Sequence, residues 1–257
     1  MLKDIYEEAA KICGPFSEHK IVSFVDVFGG SGNVLYNLPK SWNIKNKVYN
    51  DLDKNLFNTI NALRDPVERA KIADEFKYVP LSRDLFLQIK NKEKNNEQLT
   101  PFEYLYNIAN SFNSARLSFS VDLKGTGHDK YARIFEGAMH SWSEIRTWTV
   151  ENLDFRELIP KYDSEYTYFY LDPPYLKGGK TYRLNFGEDD FKELHSILSN
   201  VKGYWLMNES EVDFEFIRSV FGEPKYIKEY MNNFTSRAKI ANGTAKSIRP
   251  EGYWTNY

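Results

Sequence analysis

The sequence predicts an α/β protein: a Rossmann-like, doubly wound, mostly parallel sheet with an inserted, mainly helical recognition subdomain. Three observations predict it. Apolar runs of strand length at 21–28 and 166–171 each break into a turn signal, three glycines in one case and two prolines in the other. Strand-like runs alternate with helical patterns at both ends of the chain, the order of a parallel sheet covered on both faces. Between 65 and 150 the period changes to successive helical segments, so the sheet-forming parts are expected at 1–64 and 151–257.

In chain order, a helix is expected over 4–12, where apolar residues recur at helical spacing, then the β-rich run 21–28 and a second strand ending at Asn50-Asp51. The polar–apolar segment 54–63 is helical in period. In the insertion, 67–76, 82–92 and 102–112 are helical, 93–100 is a charged linker, and 117–121 reads as a strand entering the turn Lys124-Gly125-Thr126-Gly127 of a short hairpin. The sheet resumes at 166–171, followed by a helix at 188–199, a strand at 203–207, a helix at 211–221 and strands at 225–230 and 253–257.

Composition bounds the rest. The chain has 257 residues, 42% hydrophobic and 27% charged, enough to bury a sizeable core. No apolar run is long enough for a membrane span, and the acidic start Asp4 to Glu8 does not resemble a signal peptide. The single cysteine, Cys13, fits a reducing cytoplasm, so the Asn-x-Ser/Thr matches at Asn208, Asn233 and Asn242 read as accidental. Dispersed histidines give no metal-ligand spacing, and no metal is expected. A monomer is assumed.

The most telling residues are Asp172-Pro173-Pro174-Tyr175, directly after the apolar run Tyr168 to Leu171. A prespecified string of four arises by chance in a chain of this length on the order of once in several hundred, so more than a proline turn is involved. The exocyclic amine of a nucleobase is a poor nucleophile because its lone pair is delocalised into the ring. Two acceptors on its N–H groups localise that pair: the Asp172 carboxylate can take one and the Pro173 carbonyl, fixed by its ring, the other. Tyr175 then supplies a plate on which the base stacks.

The second constellation is Asp26-Val27-Phe28-Gly29-Gly30-Ser31-Gly32-Asn33. Three glycines in four residues suit a sharp turn where the backbone approaches a ligand closely. The spacing is not Gly-x-Gly-x-x-Gly and no Lys-Ser/Thr pair is present after it, so phosphate need not be the ligand. Asp51 and Leu52 close the next strand, where an acid either chelates ribose hydroxyls or caps the next helix.

In this order, glycine turn first and Asp-Pro-Pro-Tyr late, the chain resembles the adenine-N6 DNA methyltransferases of the Dam or D12 class, which use S-adenosyl-L-methionine. The resemblance covers most of the chain. It implies a cofactor loop at Phe28 to Gly32 with Asp26 and Asn33 beside it, a ribose clamp at Asn50-Asp51-Leu52, and Asp154-Phe155 against the cofactor's adenine. It further implies a catalytic signature at Asp172 to Tyr175 and direct methyl transfer to a flipped-out base. Tyr182, Phe186 and the helical 190–198 match the aromatic and helical pattern that the family places after its signature, and 112–116 more loosely the approach to a DNA-reading hairpin. The closing residues, from Arg237 through Asn242-Gly243-Thr244 to Thr255-Asn256-Tyr257, are similar to the family's last strands.

Relatives usually open with a glycine-rich stretch whose lysine approaches the cofactor's methionine carboxylate. Measured back from Asp26, that stretch would fall before residue 1, leaving Lys3 and Lys20 as candidates. The family's Pro-Phe-Gly near its recognition hairpin is also absent.

A net charge of −2 argues against a nucleic-acid partner unless basic residues gather on one face. Arg116, Lys124, His128, Lys130 and Arg133 lie within one stretch, and Arg237, Lys239, Lys246 and Arg249 near the end. Arg116, Lys124, Lys130, Arg133 and Tyr182 are therefore the candidate DNA contacts. The alternatives are a nucleic-acid-binding relative without the cofactor grip, the same chemistry on RNA or another planar amine, and a small-molecule methyltransferase.

Overall fold

The structure, a computed structural model, describes residues 1–111, 118–119, 127–176, 186–210, 213–231 and 248–257, with the side chains of 127–131 outside that description. The chain opens with α1 (Leu2–Cys13), β1 (Ser23–Asp26), α2 (Asn33–Tyr36), a 3-10 turn at Lys40–Trp42, and β2 (Asn46–Asn50). Then come α3 (Lys54–Arg64), α4 (Pro66–Tyr78), α5 (Arg83–Lys94), α6 (Pro101–Ala109), α7 (Gly127–His140), α8 (Trp142–Ile145) and β3 (Thr149–Glu151). The remainder is α9 (Phe155–Tyr162), β4 (Thr167–Leu171), α10 (Glu188–Leu198), β5 (Tyr204–Ser210), α11 (Phe214–Phe221), β6 (Tyr226–Met231) and β7 (Ile248–Thr255). The seven strands form one sheet in the order β3-β2-β1-β4-β5-β7-β6. The fold is a mixed α/β, Rossmann-like one.

Two compact units emerge, 1–48 with 153–257, and 49–152. In the first, β1 runs parallel to β4 and β4 parallel to β5, while β7 lies antiparallel between β5 and β6. All five β4 residues are buried, as expected of a parallel strand covered on both faces. One face carries Val25, Val27, Phe169, Leu171, Trp205, Met207 and Trp254, packed with Phe155, Leu158 and Ile159 of α9, Phe191, Leu194 and Leu198 of α10, and Phe214 and Ile217 of α11. Burying each such side chain contributes roughly 1.5–3 kcal/mol. On the other face Phe24 stacks on Tyr168 at 5.4 Å, and α1 is tied to β6 and the residue before it by Tyr230 Oη donating to Asp4 (2.8 Å) and Lys225 pairing with Glu8 (3.0 Å). Ile5, Ala9 and Ile12, at i, i+4 and i+7, are the buried stripe of α1.

The second unit is mainly helical. Asp53, Asp65, Ser82 and Thr100 cap α3, α4, α5 and α6, and Thr100 with Glu103 completes a capping box. Its aromatic centre joins Phe76 to Phe102 (5.0 Å, edge-on) and to Phe135 (4.6 Å, stacked), while Tyr49 stacks on Trp148 at 5.8 Å. Tyr106 Oη donates toward the Pro80 carbonyl (3.0 Å) and accepts from Ser82 N (2.8 Å), fixing the loop before α5. α3 packs within this unit against α4 and α6.

Several expectations shift. The charged linker starts later, because α5 continues to Lys94. Beyond the turn ending at Gly127 the sequence reading assigns no element to the stretch that forms α7; Gly127 and Gly137 weaken its helical signal, and packing of Phe135 on Phe76 overrides it. α9 and β3 were not anticipated; α9 is short and contains Pro160. The last strand begins at Ile248 rather than 253, because Pro250 masks it. There β7 pairs with Glu229 of β6, while pairing with β5 begins only at Glu251, so the missing N–H is tolerated. The expected hairpin around 117–127 lies almost wholly outside the described residues. Among the described residues no helix is long and apolar enough to cross a membrane, and no His/Cys/Asp/Glu group could hold a metal ion.

Candidate active site

The site is assembled where parallel strands of the first unit end. Register pairs Asp26 of β1 with Tyr170 of β4, and Val27 N donates to the Tyr170 carbonyl at 3.0 Å. The two strands therefore finish side by side, about 5 Å apart, and their outgoing loops leave from one edge of the sheet. One loop is Phe28 to Gly32; the other is Asp172 to Tyr175. Tyr170 lies between them: its phenol is pushed up by burial first, and then by the carboxylates of Asp172 and Asp26.

In the first loop Gly30 and Gly32 have φ of 50° and 71°, a region that disfavours side chains. Gly32 N donates to the Gly29 carbonyl at 2.8 Å, closing the turn. Among the described residues, the atom a Cβ at Gly30 would meet is the Phe28 carbonyl oxygen, at 4.0 Å. Gly32 precedes α2, and Asn33, its first residue, accepts through Oδ1 from Asn37 Nδ2 (2.8 Å). Ser31 is exposed, and Phe28 packs its ring against Phe155 (6.1 Å) and Phe186 (5.5 Å).

In the second loop Pro173 is buried and Asp172 partly so. Asp172 accepts from Asn208 Nδ2 (3.2 Å), and Asn208 Oδ1 accepts from Tyr170 Oη (2.5 Å). The amide is thereby fixed with its NH₂ toward the carboxylate. The loop is closed by Leu176 N donating to Asp213 at 2.9 Å, and Arg249 Nη2 donates to the Tyr175 hydroxyl at 2.6 Å. Burial pushes the Asp172 carboxyl up to about 6, against the Asn208 bond and the Arg249 charge, which both pull it down.

Glu209 and Glu251, from β5 and β7, are buried beside it. Glu209 is pushed up to about 9, chiefly by burial and then by the carboxylates of Asp172, Asp213 and Glu251, and Glu251 to about 7 by burial. At neutral pH Glu209 is therefore largely protonated, Glu251 is near its midpoint, and most of Asp172 is ionised.

The other residues expected at the site are spread over both units. Asp154 caps α9, accepting from Arg156 N (2.9 Å), and pairs with the Arg156 guanidinium (3.1 Å); Phe155 is a core residue of the first unit. In the second unit the helix cap is Asp53, not Asp51: Asp51 Oδ1 accepts from Asp53 N (2.8 Å) and its carbonyl from Asn152 Nδ2 (2.7 Å), with Leu52 exposed. Arg133 is exposed on α7. Arg116, Lys124 and Tyr182 lie outside the described residues, as does the Lys130 side chain. Asn208, Glu209 and Glu251 were missed as site residues. The signal was there for the first two: an apolar strand that ends in the polar triplet Asn208-Glu209-Ser210, all of it buried.

A family model described as D12 class N6 adenine-specific DNA methyltransferase matches residues 6–236. No curated protein matches the chain. Among solved structures, the rRNA methyltransferase aviRa from Streptomyces viridochromogenes is similar at 12% identity and a TM-score of 0.37, over 99% of this chain and 83% of that one.

Proposed function

Since the chain belongs to the D12 class N6 adenine-specific DNA methyltransferases, and so acts on DNA with a donor of the S-adenosyl-methionine type, we propose how its residues share the work. The donor is S-adenosyl-L-methionine, whose sulfonium supplies an activated methyl and leaves as a neutral thioether. The left-handed turn at Gly30 and Gly32, which only glycine forms easily, supports a cofactor cradle made by Asp26 and Phe28 to Asn33. Asp154 and Phe155 are proposed for the adenine end, and Asp51 and Leu52 for the ribose, on family resemblance.

The target adenine is flipped from the duplex, at a cost of a few kcal/mol, and stacking on Tyr175 returns about 1–3 kcal/mol. The Asp172 carboxylate accepts one N6–H, the Pro173 carbonyl the other, and Pro174 stiffens the loop. The nitrogen lone pair then points at the methyl group, so positioning carries the catalysis. The observation that carries the reading is the common exit of the two loops from adjacent parallel strands, with Asn208 orienting Asp172.

Incubation with labelled S-adenosyl-L-methionine and DNA of mixed sequence, followed by digestion, should yield N6-methyladenine. Asp172→Ala should lower transfer about a hundredfold or more while cofactor binding, read by calorimetry, stays within a few-fold. Turnover close to wild type in that variant would refute the role of Asp172.

A further inference from the structure

The Tyr175 ring is held from a distant part of the chain. Arg249, near the start of β7, brings its guanidinium carbon to 5.0 Å from the ring centroid, while Nη2 donates to the ring's hydroxyl at 2.6 Å. A group so placed, over the ring and bonded to its hydroxyl, restrains the ring at its phenolic end. Arg249 is itself braced: Nε pairs at 2.7 Å with Glu251 Oε1, two residues along the same strand, and that Glu251 side chain is only 3% exposed. Glu251 sits in register with Ser210 of β5, the strand that also carries Asn208 and Glu209. A buried carboxylate, a guanidinium and a phenol thus form one chain running from the sheet to the stacking plate.

The same guanidinium faces an acidic surround. The groups acting on Asp172 come from several elements: Tyr170 of β4 and Tyr175 after it, Asn208 and Glu209 of β5, and Arg249 and Glu251 of β7. Asp213, before α11, acts in turn on Glu209. Among the described residues, Arg249 is the cation that acts on Asp172.

We propose that Arg249, braced by Glu251, is a positioning residue that fixes the Tyr175 plate for the target base and serves as the counter-charge of the Asp172 acceptor. This rests on the adenine-methylation reading above. The sign of its consequence is fixed: Arg249 pulls the Asp172 carboxyl down from where burial would put it, so its removal moves the titration of Asp172 to higher pH. Transfer needs the ionised acceptor, so the acid limb of kcat/KM moves up with it.

The test compares wild type, Arg249→Met, Arg249→Lys and Tyr175→Phe. Methyl transfer to mixed-sequence DNA is measured against pH, and the Asp172 carboxyl is followed by carbon-13 NMR of aspartate-labelled protein, assigned with Asp172→Asn. Expected for Arg249→Met is a tenfold or greater fall in kcat/KM, with both the acid limb and the Asp172 midpoint displaced upward. Arg249→Lys, which keeps the charge without the fork, should restore the midpoint and only part of the rate. Tyr175→Phe should lose several-fold in rate with no rise in the midpoint.

An Asp172 midpoint that stays put in Arg249→Met, or a rate within twofold of wild type, overturns the proposal. Should Arg249→Met not fold, Arg249→Lys decides: full wild-type activity there shows that the bidentate fork is not needed and overturns the positioning role. The NMR arm needs no turnover. A wild type that transfers no methyl therefore refutes the functional reading, while the midpoints still report on the counter-charge.

Discussion

Glu209 has its carboxyl pushed up to about 9 by burial and by neighbouring carboxylates, from an ordinary 4.5. The folded protein keeps a proton that the unfolded chain releases. Stability is therefore full below about pH 4.5, declines as pH rises, and levels off above about 9. At about 1.4 kcal/mol per unit, the loss by neutrality is on the order of 3–4 kcal/mol. Glu209→Gln keeps an oxygen for Ser210 N, which Glu209 Oε1 accepts from at 2.9 Å, and removes the titration. Denaturation of the variant should match wild type near pH 4 and show greater stability at pH 8; parallel curves across that range would show that Glu209 is ionised in the fold. Asp172, at about 6, gives the complementary expectation for activity: kcat/KM rises through pH 6 as the acceptor ionises, and a flat profile from 5 to 8 would contradict it. At this scale the sequence exposed the residues that act through a contiguous string, Asp172 to Tyr175 and the glycine turn. It showed Asn208 and Glu209 only as the polar end of an apolar strand, which meets Asp172 because β5 lies beside β4, and it concealed Glu251, which joins the site because β7 lies beside β5. Arg249 was visible only as one basic residue among several.

Elements were legible where one physical signal dominated. β4 is almost wholly apolar and aromatic, α1 repeats its apolar stripe regularly, and both formed close to where their patterns placed them. α7 and the first half of β7 were hidden by Gly and Pro, whose local cost tertiary packing overcame. The entry to β5 depends on a different constraint. Gly203 leads into the strand with its N–H donated to Asp163 (3.0 Å) and its carbonyl accepting from Asn256 Nδ2 (2.9 Å). A Cβ there would lie 2.7 Å from the Thr167 carbonyl oxygen and 3.0 Å from that of Ser164. Both are backbone atoms and cannot swing aside. Gly203→Ala should therefore cost about 1–3 kcal/mol, as overpacking does. The clash is at the amino end of β5, opposite the end that carries Asn208, so kcat per folded molecule should be kept. Thermal denaturation with active-site titration separates the two, and an unchanged melting temperature would show that β4 and β5 can part at no cost.

For the whole molecule, the alternation of strands and helices around a middle segment of different period was enough to indicate an α/β sheet carrying an insertion. Where the helical unit begins was less legible: the sequence placed the change at 65, whereas the compact unit starts at Tyr49 and takes in α3. The reason is that α3 is ordinary in composition, and only its packing on α4 and α6 assigns it. Charge is the other property of the whole chain. A DNA methyltransferase of net charge −2 cannot draw duplex affinity from its average field, so the attraction must come from local clusters. We propose Arg116, Lys124, Lys130 and Arg133, with Tyr182, as that contact set. Each phosphate neutralised releases counterions, giving about 0.9 in the slope of log affinity against log salt. Arg133→Gln should then lower affinity for duplexes of any sequence and make the slope shallower by about 1, while binding of S-adenosyl-L-methionine is unaffected. Fluorescence anisotropy at several salt concentrations measures both quantities. A variant with unchanged slope would remove Arg133 from the interface, and a wild-type slope near zero would remove the whole set.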